Sequence, residues 1–110
     1  MNERDREELR LLLEDAETAL RHADEFGPGW SQDMRTRDAV ALRVLQVGER
    51  SKRVRAGTLL EIPDVSWKRV KGMRDWIAHD YGRVDPAVLE QVVTTHLPSL
   101  ITAVRKAVGR

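Results

Sequence analysis

Residues 5–25 run DREELRLLLEDAETALRHADE. Leu9, Leu12, Leu13, Ala16, Leu20 and Ala23 recur there at helical spacing with acids between them, so the segment is an amphipathic helix whose apolar stripe needs a partner. Phe26-Gly27-Pro28-Gly29 is its stop signal. A second helix is expected to start between Ser31 and Thr36 and to run to about Arg55. Its apolar rows, Val40-Val44-Val47 and Ala41-Leu45-Gly48, lie side by side, and so wide a face meets two neighbours. Gly48 costs helix stability relative to alanine, so its place in an apolar row predicts a close helix crossing. Residues 56–65, with Gly57 and Pro63, are expected to be a connection. Ser66 then caps a third helix carrying Trp67, Val70, Ile77 and Tyr81 on one stripe and ending at Gly82. Asp85-Pro86 starts a fourth helix, with Leu89, Val92 and Val93 inward, which Pro98 kinks or restarts before Leu100, Ile101, Val104 and Val108. Strand-type alternation of useful length is absent, and the expectation is an all-α bundle of four to five helices.

A length of 110 residues suits one domain over residues 1–110, burying roughly two-thirds of the surface of its unfolded chain. No apolar run approaches the roughly 20 residues that span a bilayer, and MNERDREELR has no apolar signal core behind its charges, so a soluble, cytoplasmic protein is expected. The absence of cysteine excludes a disulfide framework, a thiol nucleophile and a zinc ribbon. A net charge of +1 argues against bulk coating of nucleic acid. That figure is a sum of unlike parts: residues 1–34 hold four basic and ten acidic side chains, residues 35–74 eleven basic and four acidic. Two readings stand open. Acidic and basic helices pair with each other, or the basic centre faces an anionic partner.

Ser66–Tyr81 carries the polar residues that fit a plain bundle least well. At about 100° per residue Arg74 aligns with Val70, Ile77 and Tyr81, which predicts a guanidinium in an apolar stripe that meets a carboxylate such as Glu49, an interface or an anionic ligand. His79 lies about 140° away on an ideal helix, so the helix ends before it or a second copy completes the site. His22, His79 and His96 have no ligand-like partners at helical spacing, which argues against a metal centre, and no Gly-x-Ser-x-Gly elbow or phosphate-binding glycine loop is present. An arginine suited to an anion, a histidine able to move protons near neutrality and a nearby tyrosine remain.

Arg74, His79 and Tyr81 spell R-x4-H-x-Y, and the chain resembles the HepT branch of the HEPN superfamily, the toxin half of bacterial HepT/MNT toxin-antitoxin pairs. The resemblance covers residues 33–104 and extends to Arg37-Asp38-Ala39-Val40, Val47-Gly48-Glu49, Ile62-Pro63 ahead of Trp67, Gly72-Met73-Arg74-Asp75, Asp85 and Leu97-Pro98, in order. Departures are Asp75, where many members have asparagine, and Gly82-Arg83 after the tyrosine.

The resemblance implies a HEPN-type bundle that forms a two-fold homodimer along the motif helices. It implies a metal-independent RNA endonuclease toxin of a type VII system, with Arg74 and His79 catalytic and an RNA substrate such as tRNA or mRNA. It further implies an MNT nucleotidyltransferase antitoxin that attaches AMP to Tyr81, and no cofactor. Asp75 and Asp80 beside the motif are expected to be solvated rather than catalytic. The alternative the resemblance allows is a non-catalytic subunit that binds the nucleotidyltransferase and accepts its AMP.

Overall fold

The computed structural model describes residues 1–79 and 83–109, and His79 by its backbone alone. Helix α1 (Glu3–Phe26) is capped by Asn2, whose side chain accepts from the Asp5 N–H. It ends at Gly27, whose φ of +88° is open to glycine at little cost. A single 3-10 turn, Trp30–Gln32, leads to α2 (Met34–Ser51), where Asp33 accepts from the Thr36 N–H and hydroxyl. The start of α2 agrees with the sequence. Its end comes before Arg55, because residues 52–55 turn into a short helix α3 (Ala56–Leu60) inside the expected connection.

The third helical run is divided into α4 (Trp67–Lys71) and α5 (Met73–Ile77) at Gly72. Gly72 has φ −91° and ψ 13°, which other residues can adopt, so its weak helix propensity, not a special conformation, marks the break. Beyond Ile77 the backbone becomes extended: β1 (Ala78–His79) pairs antiparallel with β2 (Arg83–Val84), Ala78 opposite Val84 and His79 opposite Arg83. This two-residue ladder was not visible as alternation, since two residues are too few to show a period. The helix expected to reach Tyr81 therefore stops at Ile77; Asp80, Tyr81 and Gly82 lie outside the described residues.

Asp85 caps α6 (Pro86–Gln91) by accepting from the Ala87 and Val88 N–H groups, with proline at the first helical position. A π-helical turn, Val92–His96, joins α6 to α7 (Leu97–Val108), the Leu97 N–H bonding the Val92 carbonyl. The widened turn lies just ahead of Pro98, which can neither donate to the ladder nor fit closely over the preceding carbonyl. Contrary to the expectation that no run comes close, residues 86–108 are long and apolar enough to cross a membrane by length and composition. Here Leu89, Val92, Leu97, Leu100, Ile101 and Val104 are buried in the core.

One continuous core joins α1, α2, α5 and the 86–108 run through Leu9, Leu12, Leu13, Val40, Val44, Val47, Ile77 and Leu89, among others. Among the described residues the helical runs are 3–26, 34–51, 56–60, 67–77 and 86–108, an all-α architecture. Ion pairs line one side of the α1/α2 packing. The buried Asp15 carboxylate accepts from Arg43 Nη1 at 2.8 Å and Arg50 Nε at 2.6 Å. Asp5, also buried, accepts from Thr58 Oγ1 at 2.6 Å, Arg55 Nε at 3.1 Å and the Arg55 N–H. The Thr58 hydroxyl above all, with Arg55, holds the Asp5 carboxyl below the usual range against the opposing effect of burial.

Gly48 is where α4 meets α2. A Cβ built there would stand 2.9 Å from the Val70 carbonyl oxygen and 3.5 Å from Met73 Cβ. The close crossing expected from the sequence is therefore present, and the obstructing atom is backbone. Gly48→Ala is expected to destabilise the fold by about 1–3 kcal/mol through overpacking, despite alanine's better helix propensity. A denaturant midpoint equal to or above wild type would contradict this contact.

Candidate functional site

Val70 has two neighbours on its own helical face, at three and four residues' distance: Met73 and Arg74. The apolar Met73 takes the inward position with Val70 and Ile77, all three buried. Arg74 lies at the solvent margin of that stripe, its side chain 63% exposed. The expectation of a guanidinium buried in the stripe is thus corrected: the stripe is completed at i+3 by Met73, and burying the charge would have required desolvating it.

The carboxylate suggested for Arg74 is the one found. Glu49 Oε1 lies 3.9 Å from Arg74 Nε and 3.3 Å from Lys52 Nζ. Glu49 is held beside the motif by its chain neighbour Gly48, the point of closest approach. An exposed pair at that separation contributes little to stability, and the guanidinium makes no hydrogen bond to a described residue. Its donors are free to take an anion.

His79 follows the end of α5. The Ile77 carbonyl, which a continuing helix would have used, accepts from the Asp85 N–H at 2.7 Å. Asp85 thus both closes the motif segment and caps the next helix. Of the two resolutions foreseen for the angular conflict between Arg74 and His79, the backbone takes the first: residue 79 is extended, and the 140° of a straight helix no longer applies. The third motif residue, Tyr81, lies outside the described residues, as does Asp80. Asp75 is exposed, as expected. Among the described residues no group of histidines and carboxylates could hold a metal.

The charge around the motif is more selective than its sequence suggested. Arg43, Arg50 and Arg55 are committed to α1 acids, so the reading in which acidic and basic helices pair holds for α2 and the turn after it. Lys68, Arg69 and Lys71 on α4 make no ion pair with a described residue, and with Arg74 they form a compact cationic segment. Beside it is a grouping that spacing could not reveal. The Arg69 guanidinium carbon lies 5.1 Å from the centre of the Trp76 ring, and His96 meets the same indole edge-on at 4.7 Å. His96 comes from the π-turn, far away in sequence.

A family profile described as Ribonuclease HepT-like matches residues 12–107. The chain belongs to the HepT-like ribonuclease family. No solved structure matches it. The matched span contains Arg74, His79 and Tyr81 together with the Gly48 crossing and the Asp85 cap, so family membership and local geometry bear on one region of this HepT-like chain.

Replacing Glu49 with glutamine removes the only carboxylate paired with Arg74 among the described residues. Glu49→Gln is expected to alter unfolding free energy by no more than about 0.5 kcal/mol, as measured by denaturant titration. A loss of several kcal/mol would mean that the contact is structural and Arg74 is not available to a ligand.

Proposed function

We propose that the protein is a metal-independent RNA endonuclease in which Arg74 and His79 act on the scissile phosphate, and that it serves as the cytoplasmic toxin of a HepT/MNT pair. The observation that carries this reading is an exposed Arg74, free of hydrogen bonds to described residues, on a segment that leaves helical geometry before His79, inside the span matched by a ribonuclease family.

RNA supplies its own nucleophile, so proton transfer and charge stabilisation suffice. A base takes the 2′-hydroxyl proton and the 2′-oxygen attacks phosphorus. The bond to the 5′-oxygen breaks, and an acid protonates that leaving oxygen, giving a 2′,3′-cyclic phosphate and a 5′-hydroxyl. An imidazole with a reference pKa of about 6.5 can serve as base or acid near neutrality. The Arg74 guanidinium can grip the phosphate through paired hydrogen bonds and stabilise its developing charge. In a two-fold homodimer two copies of His79 would supply base and acid in one cleft.

For Tyr81 the proposal is acceptance of AMP from an MNT nucleotidyltransferase. The added phosphate is an anion of the kind the Arg74 guanidinium binds, so AMP on Tyr81 would compete for the group that substrate needs, by the logic of phosphorylation acting through an arginine. This gives a regulated ribonuclease whose off state is an internally supplied anion.

Arg74→Ala and His79→Ala are each expected to lower RNA cleavage by about 100-fold or more, the scale of losing one proton-transfer or oxyanion-stabilising group. Wild-type cleavage should persist in EDTA. Undiminished cleavage by His79→Ala, or abolition by EDTA, would overturn the mechanism; an AMP adduct without cleavage or growth inhibition would favour the non-catalytic subunit. Separately, Tyr81→Phe should escape silencing when co-expressed with the antitoxin, seen as continued growth arrest. Full silencing of that variant would remove the tyrosine from the scheme.

A further inference from the structure

Between α4–α5 and the start of α7 lies a cavity of about 180 Å³. Its apolar lining comes from Val70, Met73 and Leu100, and Arg69, Trp76 and His96 line it as well. Asp64 and Ser66 add polar groups from the loop ahead of α4. The cavity thus has flat, π-rich and cationic surfaces, an apolar lining and a few hydrogen-bonding groups.

Several observations distinguish this place from ordinary packing. Arg69 makes no ion pair with a described residue; its cation is held against the indole instead of a carboxylate. The Ser66 hydroxyl, at the N-cap of α4, makes no capping bond and is unspent. Burial first, and the positive charge of Arg69 second, push the His96 imidazole toward its neutral form, so it offers a flat uncharged ring beside the guanidinium. A flat ligand attached to a phosphate fits this set: its ring would lie against guanidinium or imidazole, and its charge would meet Lys68 and Arg69.

We propose that this cavity receives an unpaired nucleobase of the RNA strand, resting on the surface that Arg69, Trp76 and His96 form. Asp64 and Ser66 are placed to hydrogen-bond the base edge, which makes the cavity a determinant of where the strand is cut. Arg74 and Trp76 stand two residues apart on α5, so they point to different sides of one helix. A strand gripped at Arg74 would cross a helix roughly 10 Å wide to reach the cavity, so the base held is a neighbour of the scissile phosphate. The proposal rests on RNA being the substrate and adds single-strand recognition to it.

The test uses the full chain and a labelled oligoribonucleotide with 2′-O-methyl sugars, which binds but lacks the nucleophile. Binding is read by fluorescence anisotropy for an intact oligonucleotide and for one with abasic sites. Ser66→Phe narrows the cavity from its rim without losing a cap bond, Arg69→Ala removes the stacking cation, and Lys106→Ala removes one charge outside the cavity. Ser66→Phe and Arg69→Ala should weaken the intact oligonucleotide about 5- to 100-fold, the range for one stacked base, and Lys106→Ala should weaken it less. The abasic strand should bind wild type more weakly and be indifferent to Ser66→Phe. Equal binding of intact and abasic strands by wild type, or no effect of Ser66→Phe, would overturn the cavity's role. So would a change in oligomeric state caused by Ser66→Phe with RNA binding unchanged, since the occupant would then be a second copy of the chain. The ribonuclease reading fails separately: base-dependent binding without cleavage of ordinary RNA sinks that reading and leaves the cavity standing. Cleavage lost in Arg74→Ala but unmoved in rate and cut-site pattern by Arg69→Ala does the reverse.

Discussion

The absence of a side chain at Gly48 is the constraint on which the motif region depends. The Val70 carbonyl occupies the space a Cβ would need, so α4 can lie against α2 only because residue 48 has none. That approach lets Val70, Met73 and Ile77 enter the core shared by α2 and the 86–108 run. It also sets Glu49, the next residue, within reach of Arg74. A larger residue at 48 would separate the motif from its carboxylate and loosen the core on that side, because packed interiors transmit displacement instead of absorbing it.

Charge is divided by the same packing. Asp15 is out of water and is satisfied by two arginines of α2, an arrangement that is costly to break because it would leave a buried charge without compensation. Those arginines are thereby unavailable to RNA. Three of the cations without an ion pair among the described residues, Lys68, Arg69 and Lys71, follow closely on α4 with Arg74 just beyond, where exposure costs nothing and an anion can approach. Near-neutral net charge and a focused cationic segment are therefore compatible in one small chain.

Much of the fold was legible. Gly27 after the first helix, the Asp85-Pro86 start and the apolar rows of α1 and α2 specify local structure through short-range physics, and α1 stops and α6 starts where those residues predict, whereas the Asn2 and Asp33 caps came from the structure. The inward set of the motif helix was misjudged at one position. Residues three and four apart share a face, and choosing Arg74 over Met73 as the continuation of Val70 placed a charge in the stripe that solvation keeps at its margin. The early end of α5 was one of two options that the angle between Arg74 and His79 left open; the contact that accompanies it, the Asp85 N–H on the Ile77 carbonyl, is announced by no helical period.

The sequence by itself determined the helical class, the close crossing at Gly48 and the motif Arg74, His79 and Tyr81, because periodicity, propensity and residue spacing are properties of neighbours along the chain. Only the tertiary structure decided which arginines are spent on α1, that Glu49 faces Arg74, that the backbone at His79 is extended, and that Arg69, Trp76 and His96 meet around one cavity. Those are contacts between segments remote in sequence or outcomes of a helix end fixed by such a contact. Their selection depends on desolvation, close packing and the pairing of orphan backbone groups, and these are settled when the helices come together.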